Sequence, residues 1–206
     1  MRPYEELLKQ ASATGTVLKR HHIYSSGPPV DELSGDTQHI IRKHCGVSLV
    51  DFGAGCGALQ QYLPKSCRYY GIEINPVAVE MANAKGRSVV LGDVTDNALD
   101  NNSFEVCAMV EVLEHIDDYE RILHEAHRVC SSHLIVTVPN IGVLPAMSAS
   151  QVVPWHILEA THFNFFTVGS LEKVLQRFFQ RVSVWEINPW FQPGLYMNLA
   201  AVAWKR

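Results

Sequence analysis

The side chains best suited to chemistry surround a glycine-rich turn. Val47 to Asp51 reads as a short buried strand, and Gly53, Gly55 and Gly57 follow it before a helix-like segment. Glycines let the backbone bend sharply and let a ligand approach main-chain N–H groups. The start of the next helix adds further donors and a partial positive charge. The sequence therefore predicts a strand–turn–helix unit that binds a carboxylate or a phosphate.

Acidic residues recur at the carboxyl ends of four successive predicted strands. They are Asp51, Glu73, Asp93 and Glu111. In an open parallel sheet these ends line one crevice, and ligands bind in that crevice. Glu73 lies 20 residues after Gly53, where nucleotide-binding α/β units place a carboxylate against ribose hydroxyls. The four acids predict one ligand site along a single edge of the sheet.

The alternation of strands and helices predicts a doubly wound, Rossmann-like α/β fold with a mostly parallel, seven-stranded sheet. Predicted strands lie near 47–51, 69–73, 88–91, 104–110, 132–138, 181–188 and 195–204. Predicted helices lie near 57–63, 76–85, 117–130 and 168–179. The turn cluster Asn188–Gly194 leaves no room for a crossover helix, so the last strand must be antiparallel.

The length of 206 residues predicts a single domain. We expect residues 1–45 to form an N-terminal helical cap and residues 139–167 a lid-like insert rich in aromatic side chains. Within the cap, Ser25–Pro29 is a predicted loop and Val30–Cys45 a predicted helix.

Composition narrows the class of protein. Seventeen basic and 21 acidic residues give a net charge of −4, which argues against a dedicated nucleic-acid surface. The basic run Lys19–His22 is more typical of a solvated helix end. The five cysteines show no Cys-x-x-Cys spacing, so neither disulfides nor a zinc site is predicted. We see no signal peptide or long apolar run and expect a cytoplasmic protein without a membrane segment; the sequence does not indicate its oligomeric state.

With these motifs the chain resembles class I S-adenosylmethionine-dependent methyltransferases, from about Val47 to its C-terminus. The segments Glu111–Asp117 and Thr161–Leu171 are similar to motifs of the ubiquinone-biosynthesis-like branch, the type 11–12 methyltransferases. The resemblance implies S-adenosylmethionine as cofactor, bound by Asp51, Gly53, Ala54, Gly55, Gly57, Glu73, Ile74, Asp93, Val94 and Glu111. In that family the glycine loop holds the methionine end, the second-strand acid holds the ribose, and the third-strand Asp meets the adenine amino group.

Two histidines are candidates for acceptor chemistry. Methyl transfer needs the acceptor held in line and desolvated, and needs a general base only for a poor nucleophile. His115 is the first candidate base, because it follows the fourth strand at the mouth of the crevice. His162 is the second. Either histidine could instead pack beside the cofactor or within the insert.

Several alternatives stay open. Glu111, Glu114, His115 and His162 resemble the divalent-metal set of small-RNA 2′-O-methyltransferases, but metal-free relatives carry nearly the same motif, and we predict no metal. A non-catalytic cofactor-binding subunit is a second alternative. A nicotinamide-dependent oxidoreductase is a third alternative. The short chain and the positions of Asp51 and Asp93 argue against it. We favour a methyltransferase acting on a small, partly apolar acceptor.

Overall fold

The computed structural model describes residues 3–17, 31–190 and 193–205. In these residues seven strands form one sheet in the order β3–β2–β1–β4–β5–β7–β6. The strands are β1 (Ser48–Phe52), β2 (Arg68–Glu73), β3 (Val89–Leu91), β4 (Phe104–Val110), β5 (Cys130–Pro139), β6 (Arg181–Pro189) and β7 (Tyr196–Trp204). Neighbours among β1–β5 are parallel, whereas β7 is antiparallel to both β5 and β6. The predicted doubly wound α/β fold with an antiparallel last strand is confirmed.

The helices are α1 (Pro3–Thr14), α2 (Gly35–His44), α3 (Pro76–Ala84), α4 (Tyr119–Val129), α5 (Leu144–Ala149), α6 (Trp155–Leu158) and α7 (Val168–Gln176). Short 3-10 helices occupy Ala58–Tyr62, Leu113–His115 and Ile141–Val143. None of the described helices has the length and apolar character needed to cross a bilayer.

Two predicted helices differ in the structure. The helix predicted from Val30 begins at Gly35, after Ser34 accepts a hydrogen bond from the Thr37 N–H as its N-cap. The helix predicted at 57–63 is a short 3-10 helix, because Gly57 is left-handed and Leu63 is already extended before Pro64. Val30, the predicted loop Ser25–Pro29 and the basic run Lys19–His22 lie outside the described residues.

Each face of the sheet is covered by helices. On one face, side chains of α4 and α7 such as Leu123 and Leu171 are fully buried against strand residues such as Val50. On the other face, Ile41 of α2 and Ala82 of α3 are fully buried in a second cluster. This burial leaves the carboxyl ends of β1 and β4 as the place where polar residues meet.

Gly71 in β2 sets how closely the loop after β1 approaches the sheet. A Cβ on Gly71 would lie 2.7 Å from the Ala54 Cβ and 2.8 Å from the Tyr69 hydroxyl oxygen. We expect Gly71→Ala to lower the free energy of unfolding by about 1–3 kcal/mol, because the loop must shift. The matched control is Gly169→Ala in α7, where a Cβ meets nothing within 4 Å. Urea unfolding should show no loss for the control, and equal stability of the two variants would contradict the close approach.

Candidate cofactor and acceptor site

A cavity of about 460 Å³ opens at the carboxyl ends of β1 and β4. Five parts of the described chain line it: the end of β1 with the glycine loop and the 3-10 helix after it, the end of β4 with the segment that follows, the insert, the β6–β7 hairpin, and the N-terminal segment before and within α2. Its lining includes Gly53, Ala54, Gly55, Glu111 and His115. The structure thus brings the predicted cofactor loop and the first candidate base to one space.

The glycine loop is fixed to β2 by backbone hydrogen bonds. The N–H groups of Gly53 and Ala54 donate to the Ile72 carbonyl, at 2.9 and 3.0 Å. Gly55 has a φ of +53°, and a Cβ built on it meets nothing within 4 Å. A side chain there would be strained and would project into open space, which fits a loop that a ligand approaches closely.

Glu73 supports this loop from the end of β2. Its Oε2 accepts the Gly55 N–H at 2.8 Å, and its Oε1 accepts the Asn75 N–H at 2.8 Å. Because each carboxylate oxygen can accept a second hydrogen bond, Glu73 can still bind hydroxyl groups. Ile74, next in the chain, is 71% exposed.

Three further predicted cofactor residues lie outside the lining of this cavity. Asp93 lies in a neighbouring depression, where Thr95 donates to it through both N–H and Oγ1, and these bonds lower the pKa of its carboxyl. The side chain of Val94 is buried in the core, so only its backbone is placed to meet a ligand. Gly57 packs against the sheet edge, since a Cβ on it would lie 2.9 Å from Val89.

Asp51 is buried inside β1, where it is only 3% exposed. Burial raises the pKa of its carboxyl to about 7, although the Tyr69 hydroxyl donates to it at 2.8 Å and opposes the rise. An ammonium group in the cavity would favour the charged carboxylate.

Glu111 follows β4 in a left-handed conformation, with φ of 56°. Burial raises the pKa of its carboxyl to about 7. Asn198 donates to its Oε2 at 2.8 Å, and Asn188 donates to the Asn198 amide oxygen at 2.9 Å. The Asn188 N–H in turn donates to Asp36 at 2.7 Å. This relay ties Glu111 to the β6–β7 hairpin and to α2.

The two candidate bases come together with Glu114. One atom each from Glu114, His115 and His162 could ligate a metal, and these atoms lie within 4.8 Å of one another. The His115 Nε2 is 3.9 Å from Glu114 Oε1, and the two imidazole ring centres are 4.6 Å apart. The insert reaches this point because the N–H groups of Phe163 and Asn164 donate to the Glu114 carbonyl, at 2.7 and 3.1 Å.

The aromatic side chains of Phe163, Phe165 and Phe166 in the insert do not line the cavity. Phe166 is buried in the core, while Phe163 and Phe165 are 59% and 44% exposed. Trp190 is not part of the lining either, and Phe191 lies outside the described residues. The apolar walls come instead from smaller side chains such as Leu33 and Leu59.

The N-terminal segment is anchored across the loop. The Asp31 carboxylate pairs with Lys85 and Arg87, and these cations hold its pKa far below the usual value. Arg87 also donates to the Cys56 carbonyl at 2.7 Å. Asp31 therefore links the segment that lines the cavity to the glycine loop.

Sequence reasoning missed the partners of the buried acids. Tyr69 donates to Asp51 and Asn198 donates to Glu111, while Asn188 donates to Asn198; none of the three carries a motif. The signal for Asn198 was present, because a polar amide stands directly before an apolar strand run. Its pairing with Glu111 depends on a hairpin 87 residues away along the chain.

Comparison with known proteins agrees with this geometry. A family model for the methyltransferase domain matches residues 50–135. A SAM-dependent methyltransferase from Thermotoga maritima, described as a possible histamine N-methyltransferase, superposes with a TM-score of 0.62 at 20% identity, covering 77% of this chain and 82% of that one. One from Archaeoglobus fulgidus gives 0.63 at 15% identity, covering 82% and 93%. No curated protein sequence matches the chain.

The strand order, the glycine loop and the matched domain confirm the resemblance made from the sequence. Residues 50–135 match a methyltransferase domain, and the chain has the fold of solved S-adenosylmethionine-dependent methyltransferases; both findings support S-adenosylmethionine as the cofactor.

The raised pKa of Asp51 predicts a pH-dependent difference in stability. Native protein keeps this carboxyl protonated between its ordinary pKa of 3.8 and about 7, whereas the unfolded chain does not. The wild type should therefore lose stability relative to Asp51→Asn as pH rises through that window, by up to about 1.4 kcal/mol per pH unit.

Urea unfolding of both proteins from pH 5 to 8 measures this difference. Glu80→Gln on the exposed face of α3 is the control, and its stability should parallel that of the wild type at every pH. If the stability of Asp51→Asn and that of the wild type changed with pH in parallel, the raised pKa of Asp51 would be contradicted.

Proposed function

We propose that the chain transfers a methyl group from S-adenosylmethionine to a small, partly apolar acceptor. The observation that carries this proposal is the single cavity shared by the glycine loop and by Glu114, His115 and His162. One wall has the features of a cofactor cradle, and the other carries groups that can orient and deprotonate an acceptor. Such concave sites with few polar anchors are typical of small-molecule sites.

For the cofactor, the proposal assigns the methionine end to Asp51 and the glycine loop, the ribose to Glu73, and the adenine to Asp93. The open space above Gly55 and the remaining lone pairs of Glu73 fit these roles. The bound sulfonium supplies the activated methyl group. What the chain adds is alignment, exclusion of water and acceptance of a proton.

For the acceptor, the proposal assigns the base to His115. Its Nδ1 lies 3.2 Å from the Thr161 carbonyl, which can only accept, so the Nδ1–H donates and Nε2 is left as an acceptor. The Thr161 hydroxyl lies 3.0 Å from the same Nδ1 and donates to Glu159. Burial lowers the pKa of His115, which keeps the ring neutral and ready to take a proton. His162 is assigned to positioning of the acceptor.

One observation favours a second candidate, a metal-dependent 2′-O-methyltransferase-like enzyme. The grouping of Glu114, His115 and His162 is chemically suited to a divalent cation. The Nostoc punctiforme structure described as a putative O-methyltransferase shares the fold, with a TM-score of 0.62 at 17% identity, covering 82% of this chain and 54% of that one. Fold similarity does not choose the acceptor, since the neighbours differ in it.

Glu73→Ala should weaken binding of S-adenosylhomocysteine about 10-fold or more, because charge-assisted hydrogen bonds contribute about 1.5–3 kcal/mol. Isothermal titration measures the affinity, and circular dichroism checks the fold. Glu80→Ala, on the exposed face of α3, should bind like the wild type.

The same titration with NAD separates the enzyme classes. S-adenosylhomocysteine should bind and NAD should not. Binding of NAD alone would reject the methyltransferase proposal in favour of an oxidoreductase.

His115→Ala should lower turnover by about 100-fold while changing the affinity for S-adenosylhomocysteine little, because a general base acts mainly in the transition state. Release of S-adenosylhomocysteine in the presence of an acceptor measures turnover. An equal loss of binding and of rate would assign His115 to cofactor packing.

Chelation provides the control for the metal alternative. We expect wild-type turnover to survive EDTA. Loss of turnover in EDTA and recovery with a divalent ion would favour the metal-dependent enzyme, and no turnover with any acceptor would favour a non-catalytic cofactor-binding subunit.

A further inference from the structure

The glycine loop is supported on two sides. On the inner side, the N–H groups of Gly53 and Ala54 donate to the Ile72 carbonyl in β2. On the outer side, the Arg87 guanidinium donates to the Cys56 carbonyl at 2.7 Å. Arg87 is therefore placed to fix the outer half of the loop.

The aliphatic part of Arg87 also packs against this loop. A Cβ built on Gly57 would lie 3.1 Å from the Arg87 Cδ and 3.2 Å from the Arg87 Cβ. Gly57 has a φ of +72°, a conformation that glycine adopts much more readily than other residues. The loop thus turns at Gly57 against the stem of Arg87, while the guanidinium holds the carbonyl of the preceding residue.

Arg87 needs an acid in order to stay in this position. Its side chain is only 9% exposed, and an unpaired guanidinium at that depth is costly. Asp31 supplies the opposite charge, because its carboxylate accepts a hydrogen bond from the same Arg87 nitrogen that donates to Cys56. Lys85 also donates to this carboxylate. The hydrogen bonds from Lys85 and Arg87 hold the pKa of Asp31 far below its usual value, so the carboxylate stays charged.

Asp31 is itself docked on the segment that follows the loop. Its backbone carbonyl accepts a hydrogen bond at 3.2 Å from the side-chain amide of Gln61, in the 3-10 helix after the loop. The next residues, from Glu32 to Ser34, line the cavity. Asp31 therefore lies where the N-terminal segment meets the glycine loop, and its carboxylate reaches that loop through Arg87.

We infer that Asp31 is a positioning residue for S-adenosylmethionine: through Arg87 it holds the glycine loop in the shape that the methionine end of the cofactor binds. This inference rests on the proposed function, in which that loop takes the cofactor. Asp31 is not among the described residues that line the cavity, so it acts through the loop rather than on the ligand. A loop that is already ordered binds its ligand more tightly, because binding does not have to order it.

The two cations beside Asp31 separate this role from a general effect of charge. Both pair with the same carboxylate, but in the described part of the chain it is Arg87 that contacts the loop. Removing the charge of Lys85 should therefore leave the loop in place, whereas removing that of Arg87 should release it. Glu120 and Arg177 form a matched acid–arginine pair away from the cavity, with a hydrogen bond of 2.7 Å between exposed side chains.

The test measures the affinity of the full chain for S-adenosylhomocysteine by isothermal titration. Asp31→Asn should weaken binding about 5-fold, and Arg87→Gln should weaken it at least as much. In the double variant the two losses should not add, because both changes remove the same support of the loop. Lys85→Gln and Glu120→Gln should bind within about 2-fold of the wild type.

Hydrogen exchange tests the loop without any ligand. In the ligand-free protein, the backbone amides of residues 53–57 should exchange faster in Asp31→Asn than in the wild type, and Glu120→Gln should leave their exchange unchanged. Urea unfolding gives the stability of each variant, so that a loss of affinity can be compared with any loss of stability. If Arg87→Gln does not fold, the comparison of Asp31→Asn with Lys85→Gln still decides.

Four results would overturn the inference. They are an unchanged affinity of Asp31→Asn, an equal loss of affinity in Lys85→Gln, additive losses in the double variant, and unchanged exchange of the loop amides. A loss of stability in Asp31→Asn without a loss of affinity would make Asp31 a structural residue only. Failure of the wild type to bind S-adenosylhomocysteine would instead reject the proposed function itself.

Discussion

Three carboxylates meet at one edge of the sheet, with no lysine or arginine among the described residues that line the cavity, and this grouping governs the rest of the site. Asp51, Glu111 and Glu114 all lie where β1 and β4 end, and burial raises the pKa of each carboxyl. Such groups are tolerated only when donors reach them. Tyr69 and Asn198 supply donors from β2 and β7, so elements distant in the chain are held to the same edge.

The opposite wall of the cavity is the glycine loop, whose inner side is held in place by backbone contacts rather than by charge. Gly71 lets Ala54 lie against β2, and the carbonyl of Ile72 then holds the N–H groups of Gly53 and Ala54. Glu73 fixes the Gly55 N–H in turn. The loop is thus shaped before any ligand arrives, which reduces the ordering that binding would otherwise require. A rigid cradle for the cofactor therefore faces the Glu114 carboxylate, which accepts no hydrogen bond from the described residues.

The parts of the fold that the sequence could predict are those with local signals. Apolar runs, glycine turns and acids at strand ends placed the sheet, the loop and the edge at which Glu73 and Glu111 lie. The helix predicted at 57–63 is shorter in the structure, because Gly57 has a left-handed backbone and the 3-10 helix ends before Pro64. The meeting of Glu111 with Asn198, and the burial of Val94 in the core, depend on packing between distant segments. No local pattern reports such packing.

Glu111 holds its carboxylate at the site although its backbone has a conformation that is unfavourable for a residue with a side chain. Its φ of 56° is a conformation that glycine adopts freely and a glutamate adopts at a cost of about 1 kcal/mol. A glycine at this position would relieve that strain and would also remove a half-buried acid. Laboratory evolution for heat resistance alone would thus favour loss of the side chain that anchors Asn198. The stability of this protein and the integrity of its site are in opposition at one residue.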